Sequence, residues 1–337
     1  NIAGTHIRHW HENMKCAKAI QILAFGGPEV MQLHDVPIPS VGKGQILVKL
    51  FAAGVNPVDT YIRSGTYARK PTLPYIPGAD GAGVVKTVGE GVTTFKEGDR
   101  VYIHQTGVGA YAQFAVCSHE KVHPLHSNLT FNQGAALGVP YLTAYRALFD
   151  KLHVKQNETI FVHGASGGVG VAAVQLARAH GLRVLGSAGS GEGIEVVKKA
   201  GAHEVFNHKE NGYLDKVMAA TENKGADVIL ENLANVNLEN DLKIVAEHGR
   251  IGVVGNRGSI EINPRLMMMK ESSVIGVMLF KASQSEIDEA VKKFHKLAED
   301  GSLKPIVGKT FKLTDAPQAH REIIEGCAQG KLVLEIE

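Results

Sequence analysis

The sequence predicts an α/β protein in which a doubly wound parallel sheet is joined to a smaller domain built mostly of strands. Strands and helices alternate from about residue 134 onward, which is typical of a parallel sheet with helices on both faces. Short strands separated by glycine and proline dominate residues 17–133 instead. A glycine-rich turn within residues 158–170 joins an apolar strand to a helical stretch. The 337 residues suffice for two domains of ordinary size.

Six apolar or alternating runs predict the strands of the first domain. They cover residues 19–24, 31–36, 45–53, 82–89, 101–103 and 111–116. Glycine and proline punctuate them, as in Gly26-Gly27-Pro28 after the first strand. Many short strands of this kind predict a compact, barrel-like β domain.

From residue 134 the apolar residues follow a helical period and then alternate with strands. Helices are predicted at 134–148, 171–180, 192–200, 213–221, 237–247 and 285–299, and strands at 159–163, 182–187, 203–206, 226–231, 250–255 and 273–279. The last segment returns to strands, at 303–307, 309–313 and 332–336, around a helix at 315–325. We therefore predict a nucleotide-binding domain at 134–301, inserted into a β domain of residues 17–133 that residues 302–337 complete.

Residues 1–16 show no clean strand or helix period, and Met14 stands just before the first predicted strand. We interpret this segment as an extension or a tag and leave it out of the fold.

Composition excludes several classes of function. A formal charge of +2 gives no strong field for nucleic acid or an anionic membrane. No apolar run reaches the roughly 20 residues that span a bilayer. Cys16, Cys117 and Cys327 lie far apart, which argues against a disulfide framework and favours a reducing, cytoplasmic location.

The glycine-rich turn is the most informative motif. The strand Ile160–Val162 leads into glycines at 164, 167 and 170, and a helical stretch follows. Backbone N–H groups and the positive helix end converge there, so a pyrophosphate can approach closely. The alternative is an ordinary glycine-rich turn. A second strand at 182–187 completes a βαβ unit and favours dinucleotide binding of the Rossmann type.

Several separated blocks resemble one family. They are Phe25-Gly-Gly-Pro-Glu-Val30, Gly54-Val-Asn-Pro-Val-Asp-Thr-Tyr-Ile-Arg-Ser-Gly-Thr-Tyr67, Pro74-Tyr-Ile-Pro-Gly-Ala-Asp80, His163-Gly-Ala-Ser-Gly-Gly-Val-Gly170, Gly201-Ala-His-Glu-Val-Phe-Asn-His208 and Arg257-Gly-Ser-Ile-Glu-Ile-Asn-Pro264. The chain resembles the zinc-free, zeta-crystallin-like quinone oxidoreductases of the medium-chain dehydrogenase/reductase superfamily. The blocks keep the family order over nearly the whole chain. The resemblance implies a GroES-like catalytic barrel beside the Rossmann domain.

The residues also bear on zinc. Zinc-dependent members of this superfamily place a ligand cysteine after Ala-x-Gly-Val and a Gly-His-Glu block further on. This chain has Asn56 and Gly78-Ala79-Asp80 at those places, and asparagine and alanine do not replace thiolate and imidazole as ligands. We therefore predict that the chain holds no metal.

Without a metal, nothing polarises a simple carbonyl strongly, whereas conjugated acceptors such as quinones need less help. The resemblance implies reduction of ortho- and para-quinones, by hydride or single-electron transfer. The alternative is reduction of the double bond of a 2-alkenal or enone. Tyr61 and Tyr67 match the family tyrosines beside the nicotinamide, and Asn56 lies in the same loop. We assign all three to positioning and to proton donation to the acceptor oxygen. The alternative for each tyrosine is packing, because a phenol has a pKa near 10.

The second strand of the nucleotide domain ends without the acidic residue that usually binds the ribose of NAD. This gap favours NADPH, and the resemblance places Gly189 and His208 beside the 2′-phosphate. Lys198 or Lys199 could add charge there, although an exposed helix face is the simpler interpretation of both.

The remaining cofactor contacts come from the resemblance. They are Ser166, Gly167, Gly168 and Val169 at the pyrophosphate, Asn237, Val254, Gly255, Asn256 and Arg257 on the nicotinamide side, and Val277, Met278 and Leu279 behind the ring.

The strand at 273–279 is apolar and uncharged, which predicts that it is covered by self-association. We expect a homotetramer built from dimers, with a plain dimer as the alternative, and expect Val277→Lys to split it. The resemblance also implies a lens-crystallin role or binding of AU-rich RNA, for which the sequence shows no basic stripe.

Overall fold

The structure, a computed structural model, describes residues 15–105, 109–327 and 329–337. Residues 1–14 of the predicted extension lie outside the described residues, so that interpretation stays a prediction. Cys16 is already the first residue of the first strand.

Strands follow one another along the chain as β1 (Cys16–Ile22), β2 (Met31–Pro37), β3 (Gln45–Val55), β4 (Asp80–Val88), β5 (Arg100–His104), β6 (Phe114–Ser118), β7 (Val122–Pro124), β8 (Thr159–Val162), β9 (Arg183–Ala188), β10 (Glu204–Asn207), β11 (Ala226–Glu231), β12 (Val245–Val253), β13 (Ser273–Gly276), β14 (Val307–Lys312) and β15 (Lys331–Glu335).

The α-helices are α1 (Pro57–Ser64), α2 (Phe131–Gly134), α3 (Leu142–Tyr145), α4 (Gly168–Ala179), α5 (Gly191–Ala200), α6 (Tyr213–Ala220), α7 (Ala234–Ile244), α8 (Pro264–Met269), α9 (Gln284–Glu299) and α10 (Ala316–Glu325). Two π-helical segments, Leu137–Tyr141 and Arg146–Lys151, flank α3. Pro140 lies inside the first of them, where its missing N–H interrupts the α-helical hydrogen-bond pattern.

Six strands form a parallel sheet in the order β10-β9-β8-β11-β12-β13. Numbered by their sequence within the domain, this is the doubly wound order 3-2-1-4-5-6 that binds dinucleotides where the order reverses, between β8 and β11. Ile160 faces α4, α5 and α9, whereas Phe161 faces α6, α7 and α8, because successive strand residues point to opposite faces. The predicted α/β class with a doubly wound sheet is confirmed.

A second, mostly antiparallel sheet has the order β14-β15-β3-β4-β5-β7, with β6 also paired to β3. β15 pairs antiparallel with β3, so that Leu332 lies opposite Val55, and β14 lies parallel to β15. Strands from both ends of the chain therefore share one sheet. This arrangement supports the proposed division into residues 17–133 with 302–337 and residues 134–301.

The predicted strand at 303–307 is wrong. The Leu303 N–H closes the end of α9 on the Leu297 carbonyl at 2.8 Å, and Pro305 has no N–H to donate to a ladder. The carbonyl of Pro305 instead accepts the Gln133 side chain at 3.2 Å. This segment is a connector between the two sheets.

Two other predicted strands have different bounds. The strand predicted at 273–279 ends at Gly276, and Leu279–Lys281 forms a 3₁₀ turn. The strand predicted at 111–116 begins only at Phe114, because Ala112 makes an isolated bridge to Ala19 instead.

Candidate active site

The glycine turn follows β8 and leads directly into α4. Gly164 has a positive φ of 57°, and Gly167 precedes α4 without any side-chain capping bond. A Cβ on Gly170 would overlap the Gly164 carbonyl oxygen and lie 2.5 Å from the Ala165 Cα, so only glycine fits there. The first turn of α4 thus offers N–H groups and the positive end of the helix to an anion.

The four predicted pyrophosphate residues, Ser166, Gly167, Gly168 and Val169, all lie in this turn. Ser166 is buried, and its carbonyl accepts the Gly330 N–H at 2.7 Å. The turn is therefore bonded to the chain immediately before β15, in the other sheet.

On the adenosine side, Gly189 and His208 lie together, as the prediction requires. A Cβ on Gly189 would be 2.6 Å from His208 Nε2 and 3.2 Å from Lys209 Cε. Burial and the neighbouring His163 and Lys209 lower the pKa of His208, so its imidazole is neutral at neutral pH. Lys209, which the sequence prediction missed, therefore supplies the positive charge at this position.

The two lysines suggested from the sequence as charge donors lie on α5. Lys198 is in an exposed ion pair with Glu195 at 2.8 Å, three residues earlier on the helix. Lys199 is also exposed. These positions support the interpretation of an exposed helix face.

The predicted turn at Val254–Arg257 follows β12 and lies beside the end of β11. The N–H groups of Val254 and Gly255 both point at the Glu231 carbonyl oxygen, at 2.9 and 3.3 Å. A Cβ on Gly255 would overlap the Asn232 carbonyl oxygen. Asn256 closes the turn by donating to the Gly258 carbonyl at 2.7 Å.

Side chains from α1 and the loop after it meet, across a cleft, side chains that follow β12 and β13 of the parallel sheet. Arg257 Nε donates to the Tyr61 hydroxyl at 3.0 Å. Tyr67 lies with its hydroxyl 3.9 Å from the Met278 sulfur and its ring edge toward Phe280, at 6.4 Å between centroids. Burial raises the pKa of Tyr67, so its phenol stays protonated and can donate a hydrogen bond.

The three residues predicted behind the nicotinamide ring differ in exposure. Val277 and Leu279 are buried, whereas Met278 is 48 % exposed on the cleft side that contacts Tyr67. The Val277 N–H donates to the Val253 carbonyl at 2.9 Å, one residue beyond β13. Met278 is thus the member of this set that a ligand in the cleft can contact.

Asn56 lies below the two tyrosines, buried in a polar network. Its Oδ1 accepts from Lys331 Nζ at 2.5 Å, and its Nδ2 donates to Asp80 Oδ2 at 2.9 Å. Asp80 Oδ1 also accepts the Val139 N–H at 2.8 Å. These bonds favour the positioning role assigned to Asn56 and leave proton donation to the tyrosines.

The same network shows whether these residues could bind a zinc ion. Asn56 and Ala79 stand where the resemblance places the cysteine and histidine ligands of zinc-dependent proteins, and the Lys331 ammonium is bonded both to Asn56 Oδ1 and to Asp80 Oδ2 beside Ala79, the latter at 3.3 Å. A fixed positive charge bonded to these oxygens disfavours a dication at the same place. The residues therefore do not fit a zinc site.

We expect that a chelator such as phenanthroline leaves the activity unchanged, because the two ligand positions hold an asparagine and an alanine. Metal analysis of the active protein checks this. Stoichiometric zinc that is lost together with activity would contradict it.

A second buried polar cluster lies beneath the Val254–Arg257 turn, and the sequence prediction did not include it. His163 Nε2 lies 2.7 Å from Asp241 Oδ1 and 3.6 Å from Glu231 Oε2. Glu231 Oε1 accepts from the Leu233 N–H and from Asn237 Nδ2, the latter at 3.2 Å. The predicted cofactor residue Asn237 is therefore held by Glu231.

Glu231 and Asp241 are both buried, and Glu231 Oε2 and Asp241 Oδ2 have no hydrogen-bond partner of their own. Burial raises the pKa of each carboxyl to about 7. With His163, they are the one group of three potential metal ligands among the described residues. A proton retained by the carboxyl pair, instead of a metal ion, satisfies the two oxygens that have no partner. Burial lowers the pKa of His163, so its imidazole is neutral and adds no positive charge beside the pair.

Comparisons with known proteins agree with this geometry. The family described as zinc-binding dehydrogenase matches residues 168–296, and the alcohol dehydrogenase GroES-like domain matches residues 42–127. A quinone oxidoreductase of Rattus norvegicus is 52% identical over 322 residues, covering 95% of this chain and 98% of the relative. A quinone oxidoreductase of Homo sapiens is 50% identical over the same shares.

Solved structures show the same fold. The quinone oxidoreductase of Escherichia coli in complex with NADPH superposes with a TM-score of 0.87 at 31% identity, over 95% of this chain and 100% of that one. An NAD-dependent alcohol dehydrogenase has a TM-score of 0.88 at 31% identity, over the same shares.

Proposed function

The chain belongs to the quinone oxidoreductases of the medium-chain dehydrogenase/reductase superfamily, and we propose that it catalyses the NADPH-dependent reduction of ortho- and para-quinones. One observation carries this proposal. Tyr61 on α1 and Tyr67 in the loop after it face Arg257 and Met278, which follow β12 and β13, in a cleft at the carboxyl end of the parallel sheet. The polar group below this cleft is an asparagine held by a lysine rather than a set of metal ligands.

Bound NADPH would supply the reducing equivalents, and the chain's own residues have three tasks. The uncapped first turn of α4 would hold the pyrophosphate. Met278, Phe280 and the Tyr67 ring offer an apolar, aromatic wall against which a flat conjugated acceptor can stack. The tyrosine hydroxyls would donate hydrogen bonds to the acceptor oxygen, where negative charge develops during reduction.

The test is a screen of NADPH oxidation with an ortho-quinone, a para-quinone and a 2-alkenal, with semiquinone detection by electron spin resonance. We expect turnover with both quinones. Turnover confined to the 2-alkenal would replace this proposal by an enone reductase, and a semiquinone signal would assign single-electron transfer.

We also propose that NADPH is preferred over NADH. Gly189, His208 and Lys209 lie together after β9 and β10, and within the described part of the chain Lys209 has no carboxylate partner. A 2′-phosphate at this place would gain a charge-assisted hydrogen bond that the NADH ribose lacks.

Lys209→Glu is expected to raise KM for NADPH about 10-fold or more and to change KM for NADH little, because one charged hydrogen bond is lost and a repulsive charge replaces it. Initial rates with both cofactors check this. Lys198→Glu is the matched control, since Lys198 is exposed and already paired with Glu195. Equal effects of the two variants would refute the role of Lys209.

Self-association through the free edge of the parallel sheet is a further proposal. β13 is the last strand of that sheet, and Met268 and Met269 just before it are 72 % and 73 % exposed. An unpaired edge beside exposed apolar side chains is a place where a second copy can bind across a two-fold axis. We propose a dimer built on this edge and, from the resemblance, a tetramer of two such dimers.

Val277→Lys is a poor test of this interface, because Val277 is buried and its N–H is bonded to Val253. The double variant Met269→Lys, Ser273→Lys is expected to shift the protein to monomers at micromolar concentration, because both side chains are exposed at the edge. Sedimentation velocity measures this. Leu23→Lys is the control, because Leu23 is an exposed apolar residue just after β1, and this variant should leave the oligomer intact. If the unmodified protein is a monomer, the proposed interface is ruled out.

Two further predictions remain proposals. Cys117 and Cys327 form no disulfide bond in the described part of the chain, which supports a cytoplasmic location. Binding of AU-rich RNA rests on the resemblance alone, and a gel shift with NADPH as competitor tests it. Among the described residues, no helix has both the length and the apolar character needed to cross a membrane.

A further inference from the structure

The buried side chain of Lys331 lies where the two sheets meet. Lys331 is the first residue of β15, and its ammonium group reaches Asn56 Oδ1 at 2.5 Å and Asp80 Oδ2 at 3.3 Å. A Cβ on Gly54 would lie 2.7 Å from Lys331 Cε, so the glycine leaves room for the lysine stem. A long charged side chain is buried this way only when its charge is bonded.

The stem of this lysine also lies against the glycine turn. The Gly330 N–H donates to the Ser166 carbonyl at 2.7 Å, and a Cβ on Gly168 would be 3.6 Å from Lys331 Cδ. The start of β15 is therefore bonded to the turn proposed to hold the pyrophosphate.

The ammonium end fixes the opposite wall of the cleft. Asn56 is the N-cap of α1, and its backbone N–H donates to Asp59 Oδ2 at 2.8 Å. One turn later α1 carries Tyr61, whose hydroxyl accepts from Arg257. Lys331 is thus bonded at one end to the helix that carries a predicted catalytic residue, and lies at the other end against the cofactor turn.

We propose that Lys331 is a positioning residue for the reduction: its ammonium group fixes Asn56, and through Asn56 the helix α1 and Tyr61, in register with the glycine turn. This role rests on the proposed function.

The competing explanation is that Lys331 only neutralises the buried Asp80. Asp80 already accepts two other hydrogen bonds, from Asn56 Nδ2 and from the Val139 N–H. The lysine is also closer to Asn56 than to Asp80. Both observations favour Asn56 as the group that Lys331 holds.

The experiment compares Asp80→Asn with the double variant Asp80→Asn, Lys331→Met. Lys331→Met alone would leave the Asp80 carboxylate buried without its cation. In the Asp80→Asn background that carboxylate is absent from both proteins, so the comparison measures the effect of removing the ammonium group. We expect kcat with a saturating quinone to fall about 100-fold in the double variant relative to Asp80→Asn, since a displacement near 1 Å of a positioning group has that effect. KM for NADPH should change much less, because the first turn of α4 remains. Lys309→Met, which removes an exposed lysine paired with Glu322, is the control.

Equal kcat in the two variants would overturn the proposal and leave Lys331 as a counterion of Asp80. The emission of bound NADPH provides a second measurement that needs no acceptor. We expect it to shift toward that of the free cofactor in the double variant, and identical emission would also overturn the proposal. A wild-type protein that binds NADPH but reduces no quinone would refute the proposed function alone.

Discussion

Replacing Gly170 with alanine is expected to weaken NADPH binding by about 100-fold or more. The new Cβ would overlap the Gly164 carbonyl oxygen and lie 2.5 Å from the Ala165 Cα, and both are backbone atoms that cannot swing aside. The turn must therefore open, which moves the first N–H groups of α4 away from the pyrophosphate position. Overpacking of this kind also costs about 1–3 kcal/mol of stability. Fluorescence titration with NADPH and urea unfolding measure the two effects separately.

Gly191→Ala is the matched control for this variant. Gly191 is the first residue of α5, and a Cβ there would meet no atom within 4 Å. Its NADPH affinity and stability should stay close to those of the unmodified protein. An affinity of Gly170→Ala within about threefold of the unmodified protein would contradict the steric argument, since threefold is well under 1 kcal/mol.

The free energy of unfolding is expected to decrease as the pH rises from about 5 to about 8, and Glu231→Gln is expected to make this decrease smaller. Burial raises the pKa of Glu231 from 4.5 to about 7, so the folded protein retains a proton that the unfolded chain has already released. The stability that this carboxyl contributes is fully present below its pKa in the unfolded chain, and it is lost as the pH rises through its pKa in the folded protein. The shift corresponds to about 3 kcal/mol. Glutamine stays neutral, so the variant should lack this loss.

Urea unfolding across this pH range, compared with the unmodified protein, measures the difference. His163 acts in the opposite direction, because burial lowers its pKa, and loss of the Glu231 charge lowers that pKa further in the variant. Asp241, whose pKa burial also raises, remains in the variant, so part of the fall in stability persists there. Glu247→Gln, an exposed carboxylate on β12, is the control and should follow the unmodified protein. Parallel curves for Glu231→Gln and the unmodified protein would contradict a retained proton.

The parallel sheet was predictable because each of its elements has a local signal. The alternation of apolar strands and helices gave the class, and the glycines at 164, 167 and 170 located the turn at the edge where the strand order reverses. α1 was missed although its signals are present: Asn56 as N-cap, Pro57 after it and Gly65 at φ 75° beyond its end. Its eight residues are too few for a clear helical period.

The two buried polar clusters were missed for a different reason. Lys331 precedes an apolar strand and would ordinarily be assigned to a solvated strand end. Its burial depends on Asn56 and Asp80, which lie 275 and 251 residues away in sequence. Glu231 had a usable signal, since it ends the apolar strand β11, but its partner Asp241 lies on α7 among other polar residues, most of them half-buried. No local pattern joins the two.

The pairing of β15 with β3 has a consequence for how the protein is made. β3 leaves the ribosome early, while the strand that covers its edge is synthesised only after the whole parallel sheet. Until then the apolar edge from Ala52 to Val55 is unprotected, and the Asp80 carboxylate lacks its cation. The nascent chain can therefore complete its nucleotide-binding half while the half with the tyrosines is still open, and that interval is when a chaperone would be needed.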